Sequence, residues 1–249
     1  MRIGLRAGHS PNCTGAIGIV REHDEMKKFY KYVSDVLTQY GHTIIDCNSN
    51  ASSQSSELNE GVINANNNNV DLFISLHMNS FNGQAHGVES LVSSENSKAH
   101  VFARNLCLNF TELGFANRGV KYKKLFEMNY SKAPNIIFEM CFCDSQNDID
   151  IYNRYSWSQL AYAFCNAIDS NIPKSPEDKK AYVITKYLPC AYDGYKGVDI
   201  NYILQYFNGV KTYVRGDNTG IWIETAYMPL NKCQELKNTL GSWFYEIKE

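Results

Sequence analysis

The stretch that decides the fold is Val70-Asp71-Leu72-Phe73-Ile74-Ser75-Leu76-His77-Met78-Asn79-Ser80. It follows the polar loop Asn64-Ala65-Asn66-Asn67-Asn68-Asn69 and opens as a short, β-favouring apolar run. Such a run, too short for a helix and apolar on both faces, reads as a strand in the middle of a parallel sheet. It ends abruptly in His77. In open α/β sheets the carboxyl ends of strands are where ligands bind. A histidine there, taken alone, reads more readily as a satisfied structural residue than as a metal ligand.

Working outward, Arg2 to Ala7 is a first short strand that stops at Gly8-His9-Ser10. A turn-rich loop, Pro11 to Gly18, follows and wraps over something. Glu22-His23-Asp24-Glu25 opens a long amphipathic helix in which Met26, Phe29, Tyr30, Val33, Val36, Leu37 and Tyr40 recur at helical spacing before Gly41. Acidic residues in a first turn have an ordinary explanation in the helix dipole. His42 to Cys47 is the next strand. A weaker helix carrying Leu58, Val62 and Ile63 leads to the central strand. Gly87 to Val92 is a strand and Asn96 to Leu113 a helix. A strand is expected around Leu125-Phe126, beyond Asn117-Arg118-Gly119-Val120-Lys121. Pro134 to Phe142 is very apolar and is interrupted by one carboxylate, Glu139. Helices over Gln146 to Tyr152 and Ser156 to Asp169 close the pattern. Strands alternating with helices predict an α/β domain, a mostly parallel sheet with helices on both faces, over residues 1–171.

Residues 172–180 change composition, with two prolines and no apolar pattern, and read as a linker. Residues 181–249 parse as strand (Ala181 to Leu188), helix (Val198 to Phe207), two hairpin strands (Lys211 to Arg215, Ile221 to Thr225), helix (Leu230 to Leu240) and strand (Trp243 to Ile247). This βαββαβ order predicts a small α+β, ferredoxin-like domain. Its seven Lys/Arg balance its seven Asp/Glu.

The 249 residues are 44% hydrophobic and 20% charged, enough to bury a core, and carry a formal net charge of −2. That leaves no electrostatic footprint for nucleic acid. No apolar run reaches membrane-spanning length, and the start has no apolar signal core, so the expectation is synthesis in the cytoplasm with no membrane insertion. Eight cysteines, at 13, 47, 107, 141, 143, 165, 190 and 233, form no CxxC knuckle and read as buried small hydrophobes.

Four residues carry chemistry. His9 ends the first strand, Glu22 opens the first helix, His77 ends the central strand, and Glu139 interrupts an apolar strand. Strand C-termini and helix N-termini share one edge of a βαβ unit, so three of the four can converge. Two imidazoles plus a carboxylate form a catalytic zinc set with a fourth position open. A carboxylate in an apolar strand has its pKa raised and suits a general base. No two of these residues form a compact HExxH-type motif.

The motifs Ala7-Gly8-His9, Gly18 through Glu22, Leu72 to Ser80, Gly87-Val88-Glu89, Asn117 to Lys121 and Pro134 to Glu139 occur in that order. Together they resemble the zinc-dependent N-acetylmuramoyl-L-alanine amidases of the Amidase_3 family over residues 1–171. The resemblance implies one Zn²⁺ held by His9, Glu22 and His77, with Glu139 as catalytic glutamate. It implies cleavage of the amide between the muramoyl lactyl group and the L-alanine of the peptide stem. Arg6 stands where the family usually has Asp, Ser10 replaces a second glycine, and Glu139-Met140-Cys141-Phe142 departs from Glu-x-Gly-Phe. These departures bear on substrate contacts, and the last two look like the amidases of clostridial phage endolysins. Asn79, Glu89 and Arg118 are candidates to contact the peptide or support the site. His23 could compete with Glu22 as a ligand; His42 and His100 read as surface or helix-flank residues, and His86 as a solvated loop residue.

The C-terminal segment is similar in layout to SPOR-like wall-binding domains. Tyr192, Tyr195, Tyr213, Trp222 and Tyr227 could stack on sugars or simply build a small core. The combined expectation is a peptidoglycan hydrolase with a module for wall glycan or a secondary wall polymer. It would act at the wall after holin-type release as a phage endolysin. A mother-cell or autolytic bacterial amidase, a zinc peptidase of stem peptides, and a degenerate wall-binding protein are the alternatives.

Overall fold

The apolar run from Val70 lies in the middle of a six-stranded sheet. The computed structural model describes residues 1–176, 180–190, 193–194, 197–207 and 209–248, and the chain divides into two compact units, Met1–Pro176 and Glu177–Glu249. In the first, β1 (Arg2–Arg6), β2 (Thr43–Asp46), β3 (Leu72–Asn79), β4 (Val88–Val92), β5 (Asn117–Tyr122) and β6 (Asn135–Phe142) are ordered β2-β1-β3-β6-β4-β5. All pairs are parallel except β4 against β6.

Helices α1 (Glu22–Gln39), α2 (Gln54–Asn67), α3 (His100–Glu112), α4 (Phe126–Tyr130), α5 (Gln146–Tyr152) and α6 (Trp157–Ile168) complete this unit. Strand alternation sorts β3 between two cores. Leu72, Ile74, Leu76 and Met78 enter the larger one with Met26, Phe29 and Val33 of α1, Leu106 of α3 and Phe164 of α6. Phe73 enters a smaller one with Val62 and Ala65 of α2 and Phe126 of α4. Ser75 and His77, two and four residues after Phe73, therefore share the face covered by α2 and α4. The Ser156–Gln159 capping box starts α6, and Ser53 caps α2.

One expected element is corrected. The segment at Leu125-Phe126 is no strand: β5 ends at Tyr122, and Phe126 begins the short helix α4. Phe126 packs at a tilt against Tyr130 one helical turn away, at 4.6 Å between ring centroids, the i,i+4 contact that a helical turn makes. The turn also buries Glu127 against Arg6.

In the second unit, β7 (Lys180–Thr185), α7 (Ile200–Leu204), β8 (Thr212–Gly216), β9 (Ile221–Thr225), β10 (Met228–Pro229), α8 (Leu230–Leu240) and β11 (Phe244–Lys248) follow in order. Ile184 of β7 pairs with both Glu224 of β9 and Glu246 of β11, so those strands flank it, and β8 lies beyond β9. The order β11-β7-β9-β8, antiparallel throughout, is the split βαβ arrangement, with the two-residue β10 as an addition. Val183, Ile203, Phe207, Ile223, Cys233 and Leu236 form its core.

Six of the eight cysteines are buried and none is disulfide-bonded; Cys190 is exposed and Cys13 half-buried, so those two are not core residues. His42 is not a surface residue either. It is 8% exposed, with Nε2 at 3.0 Å from Asp169 Oδ2. Among the described residues no helix is long and apolar enough to cross a membrane.

Candidate active site

His9, Glu22 and His77 converge at one edge of the sheet, each offering a ligand atom within 4.8 Å of the others. Glu22 is the hub. Its Oε1 lies 2.8 Å from His77 Nδ1 and accepts the Met78 N–H at 3.2 Å, while its Oε2 lies 3.3 Å from His9 Nε2 and accepts the Ala16 N–H at 2.8 Å. The two imidazoles meet edge to face at 4.9 Å.

The backbone pays for this convergence. His9 has φ +49°, a region costly for any residue with a side chain, and Gly8 before it has φ +57°. A Cβ on Gly8 would run into the Leu76 carbonyl and the His77 ring. Gly15, at φ +71°, lies so close that a Cβ would strike both the His9 ring and Glu22 Oε2. The loop expected to wrap over something wraps over the metal-ligand candidates.

Beneath His9 lies a buried ionic network. His9 Nδ1 is 3.5 Å from Glu57 Oε1, and Glu57 Oε2 is 3.5 Å from Arg6 Nη2. Arg6 Nη1 donates to Glu127 Oε1 at 2.9 Å, and the Ser75 hydroxyl donates to the same oxygen at 2.7 Å. Arg6 is fully buried, so its departure from the family pattern touches no substrate and instead acts behind the site. Glu57 and Glu127 were not identified from sequence. The available signal was Arg6 itself, since an arginine in a buried strand demands carboxylate partners.

Glu139 stands opposite His77 in the parallel β3–β6 register and opposite Glu89 in the antiparallel β6–β4 register. All three side chains thus project from one face. Its Oε2 is buried without a hydrogen-bond partner. Burial, opposed by His77 and reinforced by Glu22 and Glu89, pushes its carboxyl up to about 7. Asn79 Nδ2 donates to Glu89 Oε1 at 3.0 Å and Arg118 Nε to Glu89 Oε2 at 2.7 Å, so these three candidates form one cluster beside Glu139. His23 is buried but turned away, with Nδ1 3.4 Å from the Gly8 carbonyl, and stands outside the triad. His86 lies on an exposed loop.

The electrostatics of the triad are those of a cation site. Burial lowers the His9 imidazole, but Glu22 and Glu57 outweigh it and lift it to about 10. His77, also opposed by burial, is raised by Glu22 and Glu139. The two histidines hold the Glu22 carboxyl well below its usual range against the opposing effect of burial. These shifts favour positive charge at the triad, the charge that a divalent cation would supply.

The sequence profile of the Amidase_3 family, described as N-acetylmuramoyl-L-alanine amidase, matches residues 3–170. The chain belongs to this family. It is 34% identical over 180 residues to an uncharacterized 38.4 kDa protein of Clostridium perfringens, covering 70% of this chain and 52% of that one. It is 32% identical over 190 residues to a second Clostridium perfringens protein, covering 72% and 56%. The chain thus spans about half the length of these curated relatives. Among solved structures, the catalytic domain of the CD27L endolysin targeting Clostridia difficile superposes with TM-score 0.64 at 28% identity, over 70% of this chain and 98% of that domain. The catalytic domain of CwlV, an N-acetylmuramoyl-L-alanine amidase from Bacillus (Paenibacillus) polymyxa, shares the fold at TM-score 0.57 and 23% identity, over 68% and 97%. The amidase fold is therefore the setting in which His9, Glu22, His77 and Glu139 meet.

The second unit carries a groove of about 520 Å³ lined by Ile184, Thr185, Lys186, Tyr187, Trp222 and Tyr245. Tyr187 meets Trp222 edge to face at 5.7 Å, and its hydroxyl donates to Asp217 at 2.7 Å. Of the aromatics expected to face sugars, Trp222 lines this groove, while Tyr213 and Tyr227 are exposed outside it. Tyr192 and Tyr195 lie outside the described residues.

Proposed function

We propose that the chain is a zinc-dependent peptidoglycan hydrolase of the phage endolysin type, cleaving the amide between the muramoyl lactyl group and L-alanine. The observation that carries this reading is the triad of His9, Glu22 and His77 within 4.8 Å, with Glu139 in register beside His77. The donor set fits Zn²⁺, two imidazole nitrogens and a carboxylate with a position left open. Zinc held there supplies a Lewis acid that polarises the scissile carbonyl and makes water a competent nucleophile near neutral pH.

The chain's own residues do the rest. Glu139, poised near neutrality by burial, takes a proton from the attacking water through a carboxylate oxygen. It then gives that proton to the departing nitrogen as the C–N bond breaks. The products are a lactyl carboxylate and a free alanine amine. Glu22, hydrogen-bonded from the Ala16 and Met78 amides, stays ionised and fixed between the two imidazoles. The likeness to an endolysin catalytic domain supports the lytic setting at the bacterial wall.

We assign the second unit, by the same reading, to holding wall glycan or a secondary wall polymer. Its SPOR-like βαββαβ order and its aromatic groove support this. Flat rings such as Tyr187 and Trp222 stack on sugar faces, while Lys186 and Asp217 offer polar partners at the rim.

The test is metal content together with digestion of purified walls, comparing the wild type with His77→Ala. The reading expects about one zinc per chain and new N-terminal alanine, both lost in the variant. Zinc with a different new terminus would make the enzyme a stem peptidase; absence of zinc would overturn the metal assignment.

A further inference from the structure

One row of side chains crosses the sheet from the triad to its far edge. His77 on β3 pairs with Glu139 on β6, and Glu139 pairs with Glu89 on β4. At the next step the β4–β5 register slips: Val88 pairs with Asn117, but Glu89 pairs with Gly119. Arg118 is the extra residue of a β-bulge. Bulges re-aim a side chain, and they recur beside active sites.

This bulge sends Arg118 to Glu89. Its Nε donates to Glu89 Oε2 at 2.7 Å, and its guanidinium lies over the Phe142 ring at 4.9 Å. Glu89 is itself held on its other oxygen by Asn79 Nδ2 at 3.0 Å. A guanidinium fixed along one edge and stacked on one face has lost most of its freedom. Among the described residues, hydrogen bonds and ion pairs reach only its Nε, which leaves the Nη1 and Nη2 donors on an exposed side chain. Two parallel donors of that kind match one carboxylate.

We propose that Arg118 is a specificity-determining residue that receives a free carboxylate of the substrate's peptide stem. The inference rests on the amidase reading above and names the part of the substrate which that reading leaves open. β5 lies two strands from β6, about 10 Å at about 4.8 Å per strand. An extended peptide covers that distance in about three residues. The carboxylate recognised therefore belongs to the first about three residues beyond the scissile amide. Glu89 is the positioning residue: saturated by Asn79 and Arg118, it orients the fork and does not meet substrate.

The experiment uses the full zinc-loaded chain and a soluble muramoyl peptide whose second stem residue is glutamate. The peptide is made in two forms, with the glutamate α-carboxyl free or as the primary amide. The wild type is expected to show a KM about tenfold to a hundredfold lower for the acid. Arg118→Gln should raise KM for the acid by that factor and change KM for the amide far less, with zinc content retained. Arg118→Lys, a point charge without the fork, should recover part of the preference. Equal KM for the two forms in the wild type, or an equal loss on both in Arg118→Gln, overturns the inference and leaves Arg118 as a prop for Phe142. Calorimetric binding of both peptides to Glu139→Ala separates the two readings. If the wild type cuts neither peptide while Glu139→Ala binds the acid more tightly through Arg118, the amidase reading fails and the carboxylate site stands.

Discussion

Glu139 and His77 sit directly across from one another on adjacent parallel strands, so a buried carboxylate and a metal-ligand candidate project side by side from one face of the sheet. The division of labour between them can be separated by mutation.

Glu139→Ala is expected to lower the turnover of wall substrate by about 10²- to 10⁴-fold, the usual worth of a positioned general base. Zinc content should stay at the wild-type level, because the triad does not include this residue. Retained lysis in that variant would remove Glu139 from the chemistry.

The pH dependence follows from the same carboxylate. Burial, opposed by His77 and reinforced by Glu22 and Glu89, raises Glu139 to about 7, and a base fails when protonated, so activity falls as pH drops through that value. A bound cation favours the ionised form and moves this limb to lower pH. Glu89→Gln removes one neighbouring negative charge and should move it further the same way. A pH–rate profile with the limb shifted upward in Glu89→Gln contradicts this.

His9 predicts the behaviour of the chelated protein. A group whose pKa is higher folded than unfolded stabilises fully below its unfolded value and ceases to do so as pH rises through its folded value. For His9 that window runs from 6.5 to about 10. Tm of the metal-free protein should therefore fall across it. With zinc the trend should weaken or reverse, since the metal competes with those protons. Melting curves at several pH values, with and without chelator, decide the matter.

Gly15→Ala should cost metal affinity far more than a surface glycine substitution such as Gly41→Ala, whose added Cβ meets nothing within 4 Å. The Gly15 methyl would displace the His9 ring and Glu22 Oε2 together. The expected loss is about 10- to 100-fold in zinc affinity, comparable with damage to groups that orient metal ligands. Competition with a chromophoric chelator measures it.

Arg6→Met leaves Glu57 and Glu127 buried without their cation. Breaking such a network by removing one partner costs about 3–5 kcal/mol. Adding Glu57→Gln and Glu127→Gln should restore much of that loss, because no unpaired charge remains. Denaturant midpoints of the single and triple variants give both numbers.

The residues of the candidate site occupy marked places in the sequence, but it was the order of six motifs resembling the Amidase_3 family that joined them into a set. His77 closes an apolar run, Glu22 opens an amphipathic helix, and Glu139 is the one charge in a buried strand. Glu57 carried no such mark: it lies in a weak polar helix and is recruited by Arg6 through contacts between residues far apart in the chain. The bulge at Arg118 was equally silent, since Asn117-Arg118-Gly119 reads as ordinary turn chemistry. Leu125-Phe126 misled because two apolar residues carry no period, and Phe126 instead packs against Tyr130 within a helical turn. In the second unit the alternation of turns and apolar runs was enough to order β7 to β11, apart from the two-residue β10.

The reversed direction of β4 has a consequence for how the molecule can change. Because β4 runs against β6, its first residues, rather than its last, reach the edge where β3 and β6 end. Asn79 and Glu89 therefore bracket a single exposed loop, while His9 and Glu22 bracket another. Insertions in the loop after Asn79 can reshape one side of the candidate site without altering the length of chain between His9 and Glu22. Loops of this kind tolerate insertion and carry variation among relatives. The topology lets the loop between Asn79 and Glu89 vary in length while the separation of His9 and Glu22 along the chain stays fixed.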